Sequence, residues 1–186
     1  MDRADVSQLL GRFGDVRIAV VGDFFLDKYL VVDPEIAETS IETGLEAYQV
    51  VGKRLSPGAA GTVTSNLAAL GVGTIHAVGI IGKDGEGHEL KQGLRERGID
   101  TDSLLEAPGR FTPTYTKPMA RQPDGSEVEM NRQDIKNRTP TPEAAEEALI
   151  DELRAAVTHV DGVIVLDQVE ERNHGVVTDR VRSELA

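Results

Sequence analysis

Val16-Arg17-Ile18-Ala19-Val20-Val21-Gly22-Asp23-Phe24-Phe25-Leu26-Asp27 decides the fold. Val16 to Val21 is a short β-branched run stopped by Gly22-Asp23. It reads as a strand covered on both faces, the pattern of a buried parallel strand. Ligands of open α/β sheets sit beyond the carboxyl ends of the strands. Asp23 and Asp27 therefore lie where a carboxylate could accept hydrogen bonds from sugar hydroxyls. Capping the turn is the other use for them, and spacing alone does not separate the two.

Working outward, Val6 to Phe13 reads as an amphipathic helix ahead of this strand. Beyond it, Asp27–Val32 and Ala47–Val51 look like strands around an acidic loop, and Pro57-Gly58 punctuates the chain. Ala59 to Leu70 is a small-residue helix ending at Gly71. Thr74–Ile81 is strand-like, and Gly85–Arg97 is helix-like with Gly98 behind it. Thr114–Arg121 and Ser126–Arg132 flank Pro123-Asp124-Gly125, a hairpin turn signal. Thr141 with Pro142 predicts a helix start, Thr as the cap and Pro at the first position, running through Ala144–Val157. Asp161–Asp167 is a second buried strand ending in a carboxylate. A last helix starts near Val176. Strands alternating with helices predict a doubly wound parallel sheet. The strands within 27–55 and 114–132 break that rhythm and read as a small separate β lid over a site.

The chain has 186 residues, enough for one domain with its own core. Its 20 Lys+Arg against 32 Asp+Glu give a net charge of −12, which argues against a nucleic-acid partner. Cysteine is absent, which excludes disulfides and cysteine chemistry and fits a reducing, cytoplasmic setting. No apolar run approaches the ~18 residues of a membrane span, and the acidic start Met1-Asp2-Arg3 lacks the apolar core of a secretion signal.

Several motifs fail on spacing. Gly82-Lys83-Asp84 is no P-loop, because position 77 is Ala and Asp84 stands where Ser or Thr is required. Gly71-Val72-Gly73 lacks the third glycine of a dinucleotide fingerprint. The four histidines are scattered, so no zinc site is expected. Ser56 through Gly71 survives as a glycine-bearing turn feeding a helix, which presents free backbone N–H groups. Close helix packing explains its alanines equally well. Val78 to Gly87 reads as architecture, with Asp84 capping the next helix.

In order and spacing, these motifs resemble the PfkB (ribokinase-like) carbohydrate kinase family over nearly the whole chain. Gly22-Asp23 with Leu26-Asp27-x-Tyr29 is similar to the family's first-strand motif, and most of all to the branch that phosphorylates heptose 7-phosphate. Pro57-Gly58-Ala59-Ala60 through Asn66 to Leu70-Gly71 resembles the Pro-Gly-Gly-Ala-x-Asn…Leu-Gly signature. Gly79-x-x-Gly82-x-Asp84-x-x-Gly87 with Gly98-Ile99-Asp100, then Thr114–Lys117 and Asn131–Asp134, are similar to the segments that follow.

The resemblance implies a ribokinase-like α/β fold: a doubly wound parallel core with a small β lid, its C-terminal part missing here. The whole of 1–186 is then one kinase domain's N-terminal part. It implies ATP-dependent phosphoryl transfer to a hydroxyl of a sugar or sugar phosphate, with Mg²⁺. Carried over, Asp27 holds sugar hydroxyls, and Gly58 and Ala59 lie against the sugar. Thr62 stands where the family's sugar-contacting Asn falls. Lys117 and Arg132 are candidate cations for a phosphorylated sugar. The open-edged lid strands offer a homodimer surface.

Departures from the family pattern are Ala59 for the second signature Gly, Thr62 for Asn, and Asp167-Gln168-Val169-Glu170-Glu171 where relatives carry Asp-Tyr-x-Lys-Gly. The Asn-x-x-Glu motif and the Gly-Ala-Gly-Asp anion hole with its catalytic Asp do not occur. No catalytic, nucleotide-binding or metal-binding residue is therefore expected in this chain. The expectation is a sugar-binding half with negligible phosphoryl transfer on its own. The alternative is a non-catalytic sugar-binding or interaction module built on the same fold.

Overall fold

The computed structural model describes residues 3–186. Helix α1 (Arg3–Leu10) and a 3-10 turn (Phe13–Asp15) lead into β1 (Arg17–Gly22). Then follow β2 (Phe24–Thr39), β3 (Glu46–Ala59), α2 (Ala60–Ala69), β4 (Thr74–Gly82), α3 (Gly85–Arg95) and β5 (Leu104–Ala107). The chain continues with β6 (Thr114–Arg121), β7 (Glu127–Glu129), β8 (Gln133–Ile135), α4 (Glu143–Val157), β9 (Gly162–Leu166) and α5 (Asp179–Leu185).

Two sheets result. The core sheet runs β5-β4-β1-β9 and is parallel throughout. Helices cover both its faces. Val20, Ile75, Ala77 and Ile81 meet α2 and α3 through Val63, Leu67, Leu90 and Leu94. On the other face Ala19, Val21, Val78 and Ile80 meet Leu149, Ile150 and Leu153 of α4 and Val181 of α5. Apolar side chains therefore leave β1 in both directions, which is why its sequence does not alternate. The fold is ribokinase-like α/β, as expected. The lid sheet runs β3-β2-β6-β7, with β8 also on β6. No described helix is long and apolar enough to cross a membrane.

Three local expectations change. The strands expected at Asp27–Val32 and Ala47–Val51 extend to 16 and 14 residues, and Pro57-Gly58 lies inside β3 rather than in a turn. The proline is tolerated because it lies near the end of a strand on the outside of its sheet. Thr141 is not the cap of α4: Pro142 takes that position without a side-chain bond, and Thr141 turns inward to donate to the Gly175 carbonyl at 2.7 Å. The last helix starts at Asp179, capped by Thr178, and not near Val176. Asp84 does cap α3, accepting from the Gly87 N–H at 2.8 Å.

Candidate functional site

The site begins where β1 ends. Gly22 has φ 152°, and a Cβ there would lie 2.0 Å from the Leu166 carbonyl oxygen of neighbouring β9. Only glycine lets the two strands pair this closely before the chain turns. Asp23 follows, 3 % exposed, with its carboxylate turned to the loop that follows β9. It accepts from the backbone N–H groups of Gln168 at 2.8 Å, Val169 at 3.1 Å and Val176 at 2.7 Å. Burial pushes its carboxyl above the usual range, against the pull of these three bonds.

From Phe24 the pleat of β2 sorts side chains onto two faces. Phe24 and Leu26 enter the core against α2 and α3, and Lys28 pairs with Glu86 and Glu89 of α3. Phe25, Asp27 and Tyr29 face the other way. Strand pairing sets Gly58 opposite Phe25, Tyr115 opposite Asp27 and Lys117 opposite Tyr29. Lys117 Nζ donates to Asp27 Oδ1 at 2.8 Å and to the Tyr29 hydroxyl at 3.2 Å. Burial lowers the Lys117 pKa, but those two bonds and the carboxylate charge outweigh it, so the ammonium is held above its ordinary value. A Cβ on Gly58 would come within 2.6 Å of Asp27 Oδ2, so this glycine makes the room in which the carboxylate lies.

Of the six residues taken from the sequence, Asp27, Gly58 and Lys117 are thus brought together. Ala59 joins β3 to α2 with φ 52° and ψ −117°, a conformation suited to glycine and strained for alanine. Thr62 is exposed on the first turn of α2, its hydroxyl 3.4 Å from the Pro57 carbonyl. Arg132 stacks 4.1 Å over the Tyr115 ring and is held by Asp134 at 2.6 and 2.9 Å.

Beside this group lies a cavity of about 120 Å³ whose lining includes none of the six. Phe25 and Tyr115, in edge-to-face contact at 5.2 Å, form its lid-side wall and connect it to Asp27. The opposite wall is the loop Gln168–Val176, and Asp23, Arg110 and Lys136 also line it. Sequence reasoning missed Arg110 and Lys136. Nothing local marks Arg110, which is 9 % exposed and donates to the carbonyls of Thr139 and His174, 29 and 64 positions away. Burial lowers its pKa, opposed by the charge of Asp23. Lys136 lies 5.8 Å from the Tyr115 ring centre. An aromatic wall facing polar groups suits a sugar, whose C–H faces are apolar and whose hydroxyls seek partners.

The pfkB family carbohydrate kinase model matches residues 28–183. The chain belongs to the PfkB family of carbohydrate kinases. It is 32 % identical over 181 residues to the bifunctional protein HldE of Trichlorobacter lovleyi, covering 97 % of this chain and 34 % of that protein. Among solved structures it is similar to a putative sugar kinase from Clostridium perfringens, with TM-score 0.52, 18 % identity, and coverage of 80 % of this chain and 42 % of that one. It is also similar to phosphofructokinase-2 of Escherichia coli in complex with fructose-6-phosphate, with TM-score 0.51, 12 % identity, and coverage of 81 % and 45 %. These structures share the PfkB fold. The chain spans about a third of the length of the curated relatives it matches.

Among the described residues, no three carboxylate or imidazole groups converge as a metal would require. Past β9, Asp167 and Asp179 are paired with Arg182 and Arg172, and Glu171 faces Arg138. These residues do not fit a Mg²⁺ site.

Proposed function

We propose that this chain is the sugar-binding half of an ATP-dependent sugar or sugar-phosphate kinase that transfers a phosphoryl group to a sugar hydroxyl. The observation carrying this reading is that Asp27 and Gly58, 31 positions apart, meet with Lys117 on the lid face beside an aromatic-walled cavity. Asp27 would accept from sugar hydroxyls in place of the Lys117 ammonium, and the displaced ammonium would be free to meet a phosphate on the sugar. Gly58 keeps that space open. Ala59 and Thr62 would approach the sugar from the α2 side, and Arg132, stacked over Tyr115, would reach for a phosphate on it. ATP and Mg²⁺ would be held largely by residues outside this chain, in the cytoplasm. The chain alone is accordingly expected to turn over no ATP.

The non-catalytic reading gains from one observation: Ala59 sits in backbone suited to the signature glycine it replaces. A binding titration separates the readings from a fold without function. Heptose 7-phosphate, fructose 6-phosphate and ribose are titrated calorimetrically into the chain, and ATP consumption is followed in parallel. Sugar binding without turnover is expected. ATP turnover that survives repurification would overturn the assignment of a binding half, and no binding of any sugar would overturn the sugar reading.

The lid also carries exposed apolar side chains near its tip: Ile36, Ile41, Leu45 and Tyr48. Together with its open strand edges, these side chains support a homodimer through the lid. Sedimentation analysis should show a dimer that Ile41→Lys with Leu45→Lys dissociates. A wild-type monomer at all concentrations would refute it.

A further inference from the structure

The loop Gln168–Val176, between β9 and α5, is tied at both ends to one side chain. Asp23 Oδ2 takes the N–H groups of Gln168 and Val169, and Oδ1 takes that of Val176. A second anchor stands alongside. Arg110 Nη2 donates to the His174 carbonyl at 2.6 Å, and Thr141 donates to the carbonyls of Gly175 and Asn173. Asp23 and Arg110 are both buried, yet no direct ion pair joins them among the described residues; three N–H groups of this loop face Asp23, whereas Arg110 meets the His174 carbonyl of the loop and, outside it, the carbonyls of Thr139 and Pro140 and the Thr141 hydroxyl. A buried charge that loses its partners is heavily penalised, so the loop cannot lift without stranding Asp23, and Arg110 would lose the shortest of its bonds. The main chain of Asp23 holds two further elements. Its N–H donates to the Leu166 carbonyl, and its carbonyl accepts from the Ala60 N–H at the start of α2. One residue thus meets the root of the lid strand, the head of α2 and the far wall of the cavity.

We propose that Asp23 is a positioning residue: through the main chain of Gln168–Val176 it holds the cavity wall in register with the lid strand and α2, with Arg110 as second anchor. The consequence for a sugar rests on the function proposed above; the clamp itself does not.

The test uses the full chain with Asp23→Asn, which keeps the shape but replaces one acceptor oxygen by an NH₂ group. Gly175→Ala attacks the same clamp from the loop side, because its Cβ would lie 2.7 Å from Asp23 Oδ1. Hydrogen exchange is followed by mass spectrometry, and heptose 7-phosphate is titrated in parallel. Exchange across 168–176 is expected to rise roughly tenfold in both variants, as for the loss of one charge-assisted hydrogen bond, while β1 and β4 stay protected. Heptose 7-phosphate affinity should fall by a similar factor. Unchanged loop exchange, or loop and core loosened together, would overturn the proposal. If Asp23→Asn does not fold, Gly175→Ala decides alone. A wild type that binds no sugar but shows the selective loop response refutes the sugar reading and leaves the clamp standing.

Discussion

Asp23 and Asp27 stand four positions apart on one continuous stretch, and their surroundings could hardly differ more. Asp23 is buried and its oxygens are filled by backbone N–H groups fixed in the fold. Asp27 has a side chain 21 % exposed and is held by one lysine on a flexible stem. A carboxylate saturated by main-chain donors has little left for a ligand. One paired with an exchangeable ammonium can trade that partner for a hydroxyl. The comparison teaches that residue type and strand position do not assign a role; what fills the lone pairs does.

The largest expected effect breaks the Asp23 side of the comparison. Gly22→Ala would drive a methyl into the Leu166 carbonyl and should destabilise the chain by roughly 3 kcal/mol or more. Urea unfolding checks this, and a loss below about 1 kcal/mol would mean that β1 and β9 are not in this register. Next, Asp27→Ala should abolish detectable sugar binding, a loss of roughly 10- to 100-fold for a charge-assisted contact, with the melting midpoint nearly unchanged. A large fall in stability with binding intact would make Asp27 a structural cap like Asp23.

A smaller effect has an unusual sign. Ala→Gly normally destabilises, but Ala59 occupies glycine backbone. Relief of strain of ~1–3 kcal/mol against a chain-entropy loss of ~0.5–1 kcal/mol leaves Ala59→Gly stabilising by about 1 kcal/mol. A lowered urea midpoint would contradict the strained geometry. The smallest effect is a pH slope. Burial places the folded pKa of Asp23 above its unfolded value, so between the two the native state holds more protons. The contribution of Asp23 to stability therefore falls as pH rises through that window and is flat above it. Wild type should lose ground to Asp23→Asn over that interval, and a difference that grows in wild type's favour would reverse the assignment.

Much of the core was legible because its signals are local. The apolar run Val16–Val21, the Asp84 cap and the Pro123-Asp124-Gly125 turn each act over a few residues, and each is found where expected. The lid strands outran their sequence signal, since β3 pairs with β2 on both sides of Pro34 and Glu35, at Asp33 and again at Glu38, and the ladder steps over the poor strand formers with a shift of register. Thr141 looked like a cap, but a long-range partner, Gly175, outcompeted the local one. Asp27 and Gly58 could be named in advance because they fall on motifs that resemble the family's, and Lys117 only as a cation near the lid; that strand pairing brings the three together was not legible. The clamp around Asp23 and Arg110 could not, because its partners are backbone groups that leave no trace in side-chain identity.

Strand β2 has a consequence of its own. It starts in the core at Phe24 and runs 16 residues outward, about 50 Å at ~3.3 Å per residue, and its pairing with β3 shifts register between Val31 and Val32 and again between Asp33 and Glu38. The inner stretch, Leu26 to Val31, is paired on both sides, by β3 and β6, and the irregular stretch lies beyond it, toward the tip of the lid. A push at Ile36 is taken up first at these bulges, so the tip can shift while the doubly paired stretch that carries Asp27 and Tyr29 keeps its place.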